Sequence, residues 1–160
     1  MHAFVSRSVA TLAALVLLAL TVLPAAAQSR TEIHFWHAMG GQLGETVGEL
    51  VKQFNQSQSA YEVKALNKGT YPEVLTGAIA AYRQKNPPHI VQMFDVGTQT
   101  MLMSGAIHPI FQLMKEQEIA VIWGDFIKPV TGYYSKDGNL YSMPFNASSP
   151  ILYYNKDMFK

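Results

Sequence analysis

The sequence predicts an α/β protein with a parallel sheet flanked by helices. Two periodicities carry that reading. Short runs of aromatic and β-branched residues alternate with period two, and longer stretches place apolar residues every three or four positions. The two kinds take turns from Thr31 to Met103, in the order strand, helix, strand, helix, strand, helix, with Gly, Asn or Pro between them. Parallel strands joined through helices produce this order.

Each element has its own reason. In Thr31 to His37, Ile33, Phe35 and His37 fall on one side and His34 and Trp36 on the other, as in a strand. Met39-Gly40-Gly41 turns the chain. Leu43, Val47, Leu50, Val51 and Phe54 then form one helical stripe with Glu45, Glu49 and Lys52 off it, ending in the polar stretch Asn55 to Ser59. Tyr61, Val63 and Ala65 mark a second strand, which ends near Leu66. After the loop Asn67-Lys68-Gly69, Thr70 and Glu73 have capping-box spacing, and Pro72 is tolerated in the first helical turn because its missing N–H is not needed there. Val74, Leu75, Ala78, Ile79 and Tyr82 make that helix's buried stripe, and Asn86-Pro87-Pro88 stops it. His89 to Phe94 reads as a third strand, followed by Asp95 and a short helix containing Thr100 to Met103.

Beyond Pro109 the pattern loosens. Ile110 to Glu118 is expected to be helical and Trp123 to Phe126 irregular. Lys136-Asp137-Gly138-Asn139 suits a hairpin turn between Tyr133-Tyr134 and Leu140-Tyr141. Pro144 to Ser149 is turn-rich, and Ile151 to Asn155 is expected to be one more strand. Lys156 to Lys160 reads as the opening of a helix that does not develop, so an N-terminal portion of a longer protein is expected.

Residues 1–27 have the form of an export signal. Arg7 gives a positive start, Val9 to Leu23 is uncharged and apolar, and Pro24 precedes Ala25-Ala26-Ala27, whose small residues suit signal peptidase. The run approaches the length of a membrane anchor, but the A-x-A ending and the polar Gln28-Ser29-Arg30 favour cleavage. The sequence has no cysteine, which excludes a lipid-anchored lipoprotein, disulfides and thiolate metal sites. Without Arg7, eleven Lys and Arg face eleven Asp and Glu, a balance that argues against a nucleic-acid surface.

In open α/β sheets ligands collect beyond the carboxyl ends of the strands. Trp36 and His37 end the first strand, Tyr71 lies past the second, and Asp95 follows the third. Each has a plain alternative: Trp36 as core, Tyr71 as a helix-start residue, Asp95 as a helix cap. Together they suit a polyol or sugar-like ligand, since a carboxylate accepts from hydroxyls, an aromatic face covers C–H surface and a phenol donates to an oxygen. Enzyme signatures are weak: G-x-S-x-G, P-loop and H-E-x-x-H motifs are all missing from the sequence. Met39 to Gly44 follows a strand and opens a helix, but lacks dinucleotide-binding spacing. His34 and His37 face opposite sides of a strand, so no metal site is expected, nor any cofactor. Asn146-Ala147-Ser148 matches a glycosylation acceptor, which means little in a bacterial host.

Four segments carry a resemblance: Phe35-Trp36-His37-Ala38-Met39, Lys68-Gly69-Thr70-Tyr71, Gln92 to Thr98, and Pro144 to Lys156. In this order they closely resemble the extracellular solute-binding family, the receptors of ABC importers, which also contains the maltose-binding proteins. The Lys-Gly-x-Tyr and Val-Gly-Thr segments resemble its glycerol-phosphate branch more narrowly. The resemblance implies a periplasmic-binding-protein-like fold of two lobes. Residues 28–143 would be an incomplete first lobe, and residues 144–160 the hinge crossing and the start of the second.

The resemblance also implies capture of sn-glycerol-3-phosphate, or of a glycerophosphodiester such as glycerophosphocholine, by a periplasmic monomer that delivers it to an inner-membrane ABC permease. The implied ligand contacts are Tyr71, Asp95 and Ser148, with Trp36 and His37 lining or supporting the cleft. Asp95 stands where the family usually has Glu, which keeps an acceptor but shortens its reach. A phosphate-binding Arg is expected from outside these residues, because nothing within them obviously substitutes for it. A receptor for a neutral sugar or oligosaccharide, and more distantly an exported hydrolase using Asp95 with a His, are the alternatives.

Overall fold

The computed structural model describes residues 29–160, so the expected export signal lies outside the described residues. The first strand, β1 (Thr31–His37), pairs in parallel with β2 (Tyr61–Asn67) along its whole length, from Thr31 opposite Tyr61 to His37 opposite Asn67. On its other side β1 pairs in parallel with β3 (Ile90–Val91), giving the order β2-β1-β3. Helix α1 (Gly41–Ser57) joins β1 to β2, and α2 (Tyr71–Arg83) joins β2 to β3. The predicted α/β alternation is therefore present as a parallel sheet.

Local chemistry accounts for these elements. Asn55, near the end of α1, accepts the Val63 N–H (2.8 Å) and donates to the Val63 carbonyl (2.9 Å). Its amide thus takes the place of a neighbouring strand along the open edge of β2. At the start of α2 the Glu73 carboxylate accepts from the Thr70 N–H (2.6 Å), as the capping-box spacing predicts, and also from the Thr70 hydroxyl (2.8 Å). These bonds hold the Glu73 carboxyl below its ordinary pKa, the Thr70 backbone bond contributing most.

The core is small. Val74 is fully buried, and Met39, Val47, Ala78 and Leu140 are the other buried apolar side chains among the described residues. The α1 stripe read from the sequence divides: Val47 is buried, whereas Leu43, Leu50 and Phe54 are 61 %, 53 % and 44 % exposed. α1 lies along β2, and that contact covers only part of its apolar face.

The third strand is shorter than the expected His89 to Phe94. The ladder continues through His89 N–H to the His34 carbonyl (3.1 Å) and Gln92 N–H to the Trp36 carbonyl (2.8 Å). Then the Phe94 carbonyl turns to accept from Gly97 and Thr98, which starts helix α3 (Asp95–Ser104) and draws Met93 and Phe94 out of the sheet.

The later segments depart further from expectation. Helix α4 (Ile110–Glu116) stops at Gln117, and Glu118 takes a left-handed φ of +53°. After a 3-10 turn (Trp123–Asp125), Lys128–Tyr133 forms α5, opening with Pro129 where a missing N–H costs nothing. Tyr133 therefore closes a helix and does not begin a strand. The hairpin is confined to β4 (Ser135–Lys136) and β5 (Asn139–Leu140). Its two-residue loop has φ of +52° at Asp137 and +76° at Gly138, as a type I′ turn needs. The expected strand Ile151 to Asn155 is not formed. Among the described residues it has no partner strand, and Ile151, Leu152 and Tyr153 are exposed; an unpaired strand does not hold its hydrogen bonds.

Candidate functional site

Strand order reverses at β1, from which the chain goes out to β2 on one side and returns to β3 on the other. The crevice beyond the carboxyl ends of β1 and β3 is the place such a sheet offers a ligand. Its floor is the backbone after β1. The Lys68 N–H donates to the His37 carbonyl (2.9 Å), and Asn67 Nδ2 donates to the Met39 carbonyl (2.7 Å). His37 is buried, its Nδ1 accepting from the Met39 N–H (3.2 Å), and burial holds the imidazole below its ordinary pKa.

From this floor a relay of amides rises to the rim. Gln92, at the end of β3 and only 6 % exposed, accepts the Ala38 N–H on Oε1 (2.9 Å) and donates from Nε2 to Asn146 Oδ1 (2.7 Å). Asn146 Nδ2 in turn donates to the Tyr71 hydroxyl (3.3 Å). Side chains from three separated stretches thus meet the backbone after β1 at the β1/β3 end of the sheet.

Tyr71 stacks on Phe94, with centroids 5.4 Å apart and planes 14° from parallel, which fixes the phenol beside the start of α3. Gly69, just before the helix, takes a left-handed φ of +92°, and a Cβ there would meet Glu73 Oε2 at 2.2 Å. That close approach explains the glycine of the Lys-Gly-x-Tyr segment. Asp95 is exposed on the first turn of α3, with Oδ1 accepting the Val96 N–H (2.8 Å). The helix dipole favours its charge, and further lone pairs are free for a ligand hydroxyl. A Cβ at Gly97 would meet Met93 Sδ at 2.5 Å and Phe94 Cε1 at 3.2 Å, so a larger residue in the Val-Gly-Thr segment would require the Met93 side chain to move.

The two candidate cleft-lining residues are placed differently. Trp36 lies beside Gly77 of α2, with Lys68 Nζ 4.2 Å above its ring and Nε1 buried without a hydrogen-bond partner among the described residues. His37 belongs to the floor. Ser148 is exposed two residues beyond Asn146. Tyr71, Asp95 and the Asn146 segment are brought to one rim, while Ser148 itself makes no hydrogen bond among the described residues.

Sequence reasoning missed four participants. Gln92 could have been found as a polar residue inside an apolar strand, and Asn146 was legible only as a glycosylation acceptor. Phe145 packs edge-on against Phe35, with centroids 5.7 Å apart, and anchors the crossing segment to β1. Burial raises the Tyr134 phenol above its ordinary pKa, and smaller contributions from Tyr133, Asp95 and Tyr71 put it within electrostatic reach of the rim. Among the described residues no group of three or more His, Cys, Asp or Glu side chains is arranged to hold a metal.

Comparison with known proteins agrees with this architecture. The chain is 48 % identical over 136 residues to the sn-glycerol-3-phosphate-binding periplasmic protein UgpB of Rhizobium meliloti (strain 1021), covering 84 % of this chain and 32 % of that protein. It is 44 % identical over 144 residues to UgpB of Pectobacterium atrosepticum, covering 89 % of this chain and 32 % of the relative. The chain thus spans about a third of the length of these curated relatives. Among solved structures, UgpB from Mycobacterium tuberculosis in complex with glycerophosphocholine superposes with a TM-score of 0.64 at 24 % identity, over 71 % of this chain and 29 % of that one. CpMnBP1 with mannotriose bound gives a TM-score of 0.58 at 18 % identity, over 69 % and 27 % of the two chains. Both structural likenesses speak to the fold, that of the periplasmic binding proteins. Residues 49–160 match the family described as bacterial extracellular solute-binding protein, and the chain belongs to that family.

Proposed function

We propose that this chain supplies the first lobe and hinge crossing of a periplasmic receptor for sn-glycerol-3-phosphate or its glycerophosphodiesters, delivering them to a membrane ABC permease. Residues 1–27 act as the export signal, residues 28–143 form the lobe, and residues 144–160 cross toward a second lobe. One observation carries the reading. Tyr71, Asp95 and the Asn146 segment converge where strand order reverses, in a chain whose relatives are named for binding that ligand.

Tyr71 gives a phenol to the ligand, Asp95 accepts from a glycerol hydroxyl, and the backbone or hydroxyl at Ser148 donates to a phosphate oxygen. Trp36 and His37 support the rim from beneath. Binding changes no covalent bond: closure of two lobes about the crossing traps the ligand, and the permease senses the closed form.

The test uses a chimera in which residues 29–160 replace the aligned third of the Rhizobium meliloti relative. Titration calorimetry is expected to show binding of sn-glycerol-3-phosphate or glycerophosphocholine, weakened at least about tenfold by Asp95→Asn, the size of a hydrogen bond to a charged group. A response to maltose with silence toward both glycerol phosphates would overturn the ligand assignment. Turnover of glycerophosphocholine abolished by Asp95→Asn would make the chain a hydrolase instead.

A further inference from the structure

The hydrogen bonds beneath the rim have a direction, and the direction can be read upward from the backbone. The Ala38 N–H can only donate, so the Gln92 oxygen must face it, as it does at 2.9 Å. That leaves Gln92 Nε2 pointing at Asn146, where only the carbonyl oxygen can accept (2.7 Å). Asn146 is then left with its NH₂ toward Tyr71, and the phenol oxygen accepts (3.3 Å). A phenol has one proton. With its oxygen already taken as an acceptor by the relay, that proton is free for another partner. Burial of Gln92 protects the lower links from exchange with water, and the Phe94 stack holds the ring plane.

We infer that Gln92 and Asn146 are positioning residues that turn the Tyr71 proton toward the ligand, so that the phenol donates to the ligand atom it meets, most strongly to an anionic phosphate or phosphodiester oxygen. The inference rests on the proposed role of Tyr71 as a ligand contact and adds which part of the ligand it meets. It also explains how a site with no arginine nearby among the described residues discriminates between the two ends of a glycerol phosphate. Asp95 can only accept and therefore takes hydroxyls, whereas Tyr71 is set to donate and favours oxyanions, to which its hydrogen bond is strongest.

The experiment reverses the last link. In Asn146→Asp the side chain still accepts from Gln92 but cannot donate to Tyr71, so the phenol turns its proton to the new carboxylate. Asn146 is exposed, which makes the substitution tolerable to the fold. Gln92→Glu is the second variant. It keeps the acceptor for Ala38 but cannot donate to Asn146, whose amide then turns its oxygen toward Tyr71.

Each is combined with Tyr71→Phe in the chimera, and affinity for sn-glycerol-3-phosphate is measured by titration calorimetry. In the parent, Tyr71→Phe is expected to weaken binding at least about tenfold, as loss of a hydrogen bond to a charged oxygen should. In either relay variant the same substitution is expected to weaken it by less than about threefold, because the phenol's proton is already engaged. This coupling separates the relay from any general effect of the added negative charge, which both members of each pair share. An undiminished Tyr71→Phe loss in Asn146→Asp overturns the relay and leaves Tyr71 in the site. A Tyr71→Phe chimera that binds like the parent overturns both the relay and the placement of Tyr71.

Discussion

Replacing Gln92 by Leu keeps much of the side-chain volume and removes both amide bonds. The consequence can be worked out link by link. On one side Asn146 is exposed, so its freed carbonyl finds water at little cost. On the other, the Ala38 N–H is partly buried and loses its acceptor. A buried donor left unsatisfied costs about 1–3 kcal/mol, whereas packing changes little because Leu fills the space. The loss is local, so the assay should be too: hydrogen exchange of the Ala38 amide, followed by NMR in the chimera. At about 1.4 kcal/mol per factor of ten, exchange at Ala38 should accelerate roughly five- to hundred-fold. The Val63 amide, held by Asn55 at 2.8 Å on the far edge of the sheet, should not change. Unaltered Ala38 exchange in Gln92→Leu would refute the claim that this amide holds the end of β1.

Other predictions concern the sheet, the core and pH. Asn55→Ala strips both partners from Val63 on the edge of β2 and should destabilise the lobe by about 1–2 kcal/mol, read as faster exchange at Val63 with Ala38 unchanged. Val74→Ala, at a fully buried position, should cost about 2 kcal/mol in a denaturation midpoint, whereas Leu50→Ala, at a position 53 % exposed on the α1 stripe, should cost well under half as much. The folded-state pKa of His37 lies below its unfolded value near 6.5, so the unfolded chain binds more protons in acid. Its contribution to stability is full above about pH 6.5 and shrinks as pH falls through that value toward the folded pKa. Melting temperature measured from pH 7.5 to 5 should therefore fall more steeply in the parent than in His37→Asn, and parallel slopes would contradict it.

The parts of this fold that are legible in the sequence are those with a strong local signal. Thr31 to His37 alternates over seven residues and is one strand from end to end. Thr70 and Glu73 announce the α2 cap by spacing alone, and the bonds are there. Other features depend on partners distant in sequence. The third strand reads too long because Met93 and Phe94 look like strand residues, while the α3 start claims the Phe94 carbonyl. Tyr133-Tyr134 has strand character, yet the chain around it closes a helix, and Ser135 Oγ then donates back to the Thr131 carbonyl (2.9 Å). The apolar run at Ile151 names a strand but not its neighbour, which a strand requires. At the site, Tyr71 and Asp95 are accessible from their places after strands. Gln92 and Asn146, 54 residues apart in sequence, acquire a role only when folding brings their amides together.

The central claim is that the crevice beyond β1 and β3 holds a glycerol phosphate with its oxyanion on Tyr71 and its hydroxyls on Asp95. A crystal structure of the chimera with sn-glycerol-3-phosphate tests it directly. The expected result is a phosphate oxygen about 2.5–2.7 Å from Tyr71 Oη, the usual range for a hydroxyl donating to an anion, with a glycerol hydroxyl on the Asp95 carboxylate and the Gln92 to Asn146 to Tyr71 relay intact. A ligand bound away from this rim, or one presenting a hydroxyl to Tyr71 and its phosphate elsewhere, would contradict it.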